Sequence, residues 1–200
     1  MKRFVVGSVL AVMLFAASVR SAWAQEETPF IQFGARAAVV MHSTYEIDEV
    51  VNHHYGPGFG FGVGLVLRHT VSDALNFRGE PSFYWRGLYT YTSGLMPISV
   101  DEMALCIPLM ANYFISPERI YISGGLELDL PFKTQRFEYS SGVDIGYDRS
   151  FVDIGFLIGG GYMIAENIGV DARYVIYFNN PRKSSSELLM SYGIGAFILF

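Results

Sequence analysis

The chain has 200 residues, of which 51% are hydrophobic, 16% aromatic and 16% charged, with a formal net charge of -5 and one cysteine. This excludes intrinsic disorder, which requires low hydrophobicity and high charge, a basic nucleic-acid binder and an internally disulfide-bonded scaffold. A β-rich globular domain or a membrane protein remains.

Residues 1–24 read as a secretory signal peptide. Met1-Lys2-Arg3 is cationic, and the apolar run Phe4 to Ala17 is too short to cross a hydrocarbon core of about 30 Å as a helix. Ala22-Trp23-Ala24 has the small-x-small form read by signal peptidase, which places cleavage between Ala24 and Gln25. No cysteine follows the run, so a lipoprotein anchor is not expected. The expected mature domain, 25–200, carries 11 bases against 19 acids, and Lys133 and Lys183 are its only lysines. Cys106 would enter an oxidising compartment alone, which favours a buried, unreactive thiol.

Along the mature chain, period-two alternation recurs eight times, the pattern of strands with two different faces. The first stretch, about Phe30 to Met41, sets Ile31, Phe33, Ala35, Ala37 and Val39 against Gln32, Gly34 and Arg36. The second, Gly58 to Arg68, sets Phe59, Phe61, Val63, Leu65 and Leu67 against glycines, Val66 and Arg68. A soluble sheet would oppose its large residues with polar ones. Opposing them with glycine points to large residues facing lipid and glycines leaving room inside a narrow barrel.

The third stretch, about Leu75 to Arg86, sets Phe77, Phe83 and Trp85 against Arg78, Glu80, Ser82 and Arg86. A fourth, about Glu102 to Phe114, alternates only weakly. The fifth, about Ile120 to Leu130, opposes Ile122, Leu126 and Leu128 to Ser123, Glu127 and Asp129. In the sixth, about Val152 to Met163, Ile154, Phe156 and Ile158 face away from Asp153 and three glycines. The seventh, about Ile168 to Phe178, sets Val170, Tyr174 and Ile176 against Asp171, Arg173 and Tyr177. The last, from about Leu188, sets Tyr192, Ile194, Ala196, Ile198 and Phe200 against Ser191, Gly193 and Gly195.

The outward sets carry no charge. The inward sets hold Arg36, Arg68, Arg78, Arg86 and Arg173 with Glu80, Glu102, Glu127, Asp129, Asp153 and Asp171. Buried charges persist only when paired, and arginine's fork suits carboxylates, so these residues are expected to form a charge network filling a lumen. The connections alternate in length, about 16, 7, 15, 5, 20, 3 and 9 residues. Outer-membrane barrels have short periplasmic turns and longer outer loops. The expected fold is an all-β, eight-stranded, antiparallel up-and-down transmembrane β-barrel in a Gram-negative outer membrane.

Phe77-Arg78-Gly79-Glu80-Pro81-Ser82-Phe83-Tyr84 resembles the third-strand "rpEl-y" pattern of the PorT-like outer-membrane β-barrel proteins common in Bacteroidetes. Leu105-Cys106-Ile107-Pro108-Leu109-Met110 is similar to that family's "leiPll" fourth strand. Gly159-Gly160-Gly161-Tyr162 and Asp171-Ala172-Arg173-Tyr174 are similar to its sixth and seventh. The resemblance spans nearly the whole mature chain and implies a barrel fold and outer-membrane location. The family includes a component linked to type IX secretion. Phe200, with apolar or aromatic residues at alternate positions before it, resembles the signal read by the barrel-assembly machinery.

Candidate chemistry is sparse. His53-His54, with Glu46, Asp48 and Glu49 nearby, has ligand types for zinc or copper, but adjacent histidines on an acidic loop are more simply solvated. His42-Ser43 would need an acid to act as an esterase, and no acid is placed. The Gly58 to Gly64 series lacks a P-loop lysine. Trp85, Tyr89, Tyr91 and Tyr113 read as interfacial girdles. An eight-stranded barrel is just wide enough for its own side chains, so a plugged lumen is expected. The expected protein is non-enzymatic and without cofactor, embedded in outer-membrane lipid and acting through its outer loops on protein partners in interaction, adhesion or envelope support. The alternatives are a small-solute channel and a soluble lipocalin-like binder of apolar ligands.

Overall fold

The computed structural model describes residues 31–46, 55–93, 96–115, 119–138, 152–178 and 187–200. The described strands are β1 (Ile31–Glu46), β2 (Tyr55–Ser72), β3 (Leu75–Gly79), β4 (Ser82–Ser93), β5 (Met96–Phe114), β6 (Ile120–Glu138), β7 (Asp153–Ala165), β8 (Ile168–Tyr177) and β9 (Glu187–Leu199). Neighbours pair antiparallel, and β1 pairs with both β2 and β9, which closes the sheet.

β3 and β4 are two halves of one stave. Leu67 opposite Gly79 and Gly64 opposite Ser82 hold a single register along β2, and Gly79 opposite Leu109 and Ser82 opposite Cys106 do the same along β5. The barrel therefore has eight staves. The interruption at Glu80-Pro81 is one of hydrogen bonding, and two prolines cause it. Glu80 N–H donates to the Pro108 carbonyl at 3.0 Å, but Pro108 has no N–H to return, and the Glu80 carbonyl accepts from Ser82 Oγ at 3.0 Å instead. Leu65 N–H likewise donates to the Pro81 carbonyl at 3.0 Å without a return bond.

The faces are those of a membrane barrel. Phe59, Leu65 and Ile194 are 65%, 61% and 70% exposed on the outside, whereas Glu80, Asp129 and Asp153 are 0% exposed within. A lipocalin-like barrel would invert this arrangement, so the soluble alternative is corrected. Among the described residues no helix is long and apolar enough to cross a membrane, and the strands do the crossing. Asp73, Arg119 and Glu166 mark one rim, and Asp101 and Lys133 the other. The outward positions between them carry no Asp, Glu, Lys or Arg.

At the first rim the turns are short: Asp73-Ala74 joins β2 to β3, and Glu166-Asn167 joins β7 to β8. At the other rim the expected 15-residue connection from Gly87 to Asp101 is replaced by strand. β4 and β5 stay paired up to Ser93 opposite Met96, leaving 94–95 between them. Gly87 and Pro97 are turn-forming residue types, but both lie in the ladder, opposite Asp101 and Thr92, with a register shift between Gly87 and Tyr89. β5 and β6 reach 19 residues each, well beyond the roughly 9–11 needed to span. They form a wall above the belt, while β7 begins only at Asp153, opposite Asp129. The backbone of Tyr89 and Tyr91 continues the ladder beyond the Gly87–Asp101 pair, opposite Val100 and Ile98.

Candidate functional site

The lumen is built by cross-strand fit between a glycine face and its large neighbours. On β2, Gly60, Gly62 and Gly64 lie directly opposite Arg86, Tyr84 and Ser82 of β4. A Cβ on Gly62 would sit within 2.5–2.7 Å of the Tyr84 ring, and one on Gly60 2.6 Å from the Trp85 carbonyl oxygen. The same device recurs at Gly195, where the Arg36 guanidinium occupies the place of a side chain. Glycine at these positions lets an arginine or tyrosine from the next stave lie flat across the bore.

Two buried charge clusters stack along the axis. In the one nearer the short turns, Arg36, Arg78 and Arg173 converge on Glu80 and Asp171. Arg173 donates from both terminal nitrogens to Glu80, at 2.5 and 2.8 Å, and from Nη2 to Asp171 at 2.8 Å. Arg36 and Arg78 each donate to Asp171 at 2.8 Å. Their Nε atoms lie 3.3 and 2.9 Å from Glu80 as ion pairs whose N–H vectors are not aimed at the oxygens. Arg78 also stacks 4.5 Å from the Phe197 ring centroid and donates to the Tyr121 hydroxyl at 3.2 Å.

The second cluster lies toward the wall. Arg86 donates to Glu102 at 2.7 and 3.1 Å and to Asp129. The Cys106 thiol donates to Asp129 at 3.1 Å and meets Arg86 Nη1 at 3.5 Å. Tyr177 donates its hydroxyl proton to Glu127 at 2.5 Å, and Asp153 pairs across the ladder with Asp129. Among the described residues, the lower cluster sets three arginines against Glu80 and Asp171, and the upper one bonds Arg86 to Glu102 and Asp129. Between the clusters is a cavity of about 20 Å³ lined by Arg36, Tyr84, Arg86, Glu127, Arg173 and Ser191 among others, room for about one water molecule.

Arg68 stands apart from both clusters. It donates through Nε and Nη2 to Gln32, its cross-strand neighbour, and among the described residues no carboxylate is paired with it. Nearer the short turns, Ser123 donates to Asn112 and Asn112 to Asn76, both at 2.7 Å, forming a neutral ladder. That ladder, Tyr121 and the Tyr177–Glu127 bond were not singled out by sequence. Their inward position at alternate residues was the available signal, but which stave each would reach depends on register.

Consecutive strand residues point to opposite faces, so His42, buried in the bore, and Ser43 are not positioned as a catalytic pair. Among the described residues no three His, Cys, Asp or Glu come together to hold a metal. His53-His54, the expected signal segment 1–24 and Gln25 lie outside the described residues. Phe200 closes the seam beside β1, its N–H donating to the Phe33 carbonyl at 2.7 Å.

The family model for the outer membrane protein beta-barrel domain matches residues 8–195. The chain belongs to this outer-membrane barrel family. It is an integral outer-membrane protein, consistent with the charge-free belt and closed sheet. A comparison with curated proteins finds no match. Among solved structures, the barrel is similar to Ail, the attachment invasion locus protein of Yersinia pestis, at 14% identity and TM-score 0.52, covering 84% of this chain and 98% of that one. Ail in complex with the heparin analogue sucrose octasulfate gives 12% identity and TM-score 0.50, covering 86% and 100%. OprG from Pseudomonas aeruginosa gives 13% identity and TM-score 0.47, covering 84% and 95%. These likenesses concern the fold.

Proposed function

We propose that this barrel is a non-conducting, non-enzymatic anchor that presents its raised β4–β5–β6 wall and outer segments to a protein partner, in adhesion or envelope support. The observation that carries the reading is the contrast between a bore filled by paired charges, with a cavity of about 20 Å³, and strands that run far past the belt. Material invested above the membrane, with none left open through it, suits binding better than transport. The outer segments 43–57, 87–101, 131–152 and 179–187 contain Tyr45, Tyr55, Tyr89, Tyr91, Tyr139 and Tyr147, the residue type that supplies rigid contact area in binding loops.

Those segments hold eight acids against five bases. A sulfated glycan, the kind of ligand seen with Ail, is therefore disfavoured electrostatically here, and a neutral or basic protein surface is favoured. The PorT-like resemblance supports a place among envelope or secretion-associated components, with the assembly machinery reading the last strand through Phe200.

The test is retention of expressing cells on protein-coated surfaces and on like cells, compared with a variant whose 47–54 and 139–151 are replaced by short Gly-Ser links. Loss of retention with surface expression unchanged supports the reading; equal retention overturns it. Pull-down from detergent-solubilised outer membrane then identifies the partner.

A further inference from the structure

The end of the bore beside the short turns gathers hydrogen-bond donors without matching acceptors. Arg68 points inward there, half-buried, directly opposite Arg78 on β3, and like charges so placed repel. Arg78 is answered by Glu80 and Asp171. Among the described residues Arg68 is answered by the Gln32 amide oxygen alone, which takes its Nε and one Nη2 proton. A guanidinium carries five N–H groups in a planar fork, so the Nη1–Nη2 edge of Arg68 stays open.

Two further donors end beside it. Ser123 donates to Asn112 and Asn112 to Asn76, so the ladder's polarity runs toward β3 and finishes on Asn76 Nδ2. Among the described residues neither that group nor Gln32 Nε2 has an acceptor. Gln32 on β1 and Asn76 on β3 flank Arg68 from its two neighbouring staves, Asn76 standing opposite Thr70, the next inward residue along β2. Counter-charge is not supplied from further in. Val66 and Leu199, the next inward residues beyond Arg68 and Gln32, join Tyr121, Met163 and Phe197 in a buried apolar cluster. The rim acids Asp73 and Glu166 stand on turns, and neither is paired with Arg68.

We propose that this mouth binds one oxyanion, a carboxylate or phosphate group presented from the periplasmic side, where short turns lie. The open Arg68 edge takes two of its oxygens, the geometry in which a guanidinium recognises such groups. The Asn76 and Gln32 amides supply N–H groups on either side. Every unmatched group here is a donor, so the site suits an anion and not a cation. It is separate from the outer segments, and the bore above it stays closed.

The test uses the full barrel, with isotope-labelled arginine side chains, in a phospholipid-free zwitterionic detergent. Sodium phosphate is titrated against sodium chloride at constant ionic strength. Wild type is expected to show a saturable shift of the Arg68 Nε–H signal, assigned by its absence from Arg68→Gln, and a raised urea midpoint, since a ligand that binds the folded state stabilises it. Acetate should act like phosphate, and Arg68→Gln should lose the change in midpoint. Asn76→Asp still accepts from Asn112 but sets a carboxylate beside Arg68. It should lose the phosphate response with the Arg68 signal still visible, which serves should Arg68→Gln fold poorly; folding is checked by gel mobility without heating. A response in wild type that never saturates, that chloride reproduces, or that both variants retain overturns the proposal. A shift that requires phosphatidylglycerol in the micelle and is absent with inorganic phosphate would place the anion at the lipid rim and overturns the assignment to the bore.

Discussion

Arg173 holds Glu80 with both terminal nitrogens, at 2.5 and 2.8 Å, from a stave on the opposite side of the ladder order. This single bidentate contact ties β8 across the bore to the hinge between β3 and β4, where two prolines have removed backbone hydrogen bonds. A weakness in the wall is thus braced through the lumen. Charge-assisted bidentate pairs are the stronger kind, and their worth here includes keeping three arginines from being buried without counter-charge.

Removing one partner from such a cluster is far costlier than never having it, because the remaining charge stays buried. Glu80→Ala is expected to destabilise the barrel by about 3–5 kcal/mol. Urea unfolding in detergent micelles, followed by the gel-mobility shift, measures it. Arg68→Ala, which loses a bond to Gln32, is expected to cost far less, about 0.5–1.5 kcal/mol.

The glycine seats should behave as half of a steric pair. Gly62→Val brings a branched side chain into the Tyr84 ring, an overpacking cost of about 1–3 kcal/mol. Combining it with Tyr84→Ala should relieve that clash, so the two changes are non-additive in a double-mutant cycle. Strict additivity would show that Tyr84 does not occupy the seat.

The two faces should respond oppositely to charge. Leu65→Arg places a cation in the belt, where the cost near the membrane midplane is about 2–4 kcal/mol. Thr70→Arg, on the inward face near the short turns, should be tolerated much better. Folding yields into lipid vesicles compare the two directly.

Much of this architecture is legible in the residue order because alternation is local. The face of every residue from Phe59 to Leu67 follows from period two and the absence of charge on one side. Register is not local. That Gly62 would meet Tyr84, or that Arg173 would reach Glu80 93 residues earlier, depends on how eight staves align. The Arg68–Gln32 pair shows the same limit: charge balance suggests a carboxylate partner, while register supplies an amide. The raised wall was hidden for another reason. Gly87 and Pro97 are turn-forming residue types, yet the β4–β5 ladder holds them opposite Asp101 and Thr92.

The central claim is that the bore is closed by its own paired charges. Single-channel recording in planar bilayers tests it most directly. Wild type should show no persistent openings, while Glu80→Ala/Arg173→Ala, which removes the brace as a pair, should introduce small, resolvable conductance steps. Large, sustained openings from wild type would contradict the account.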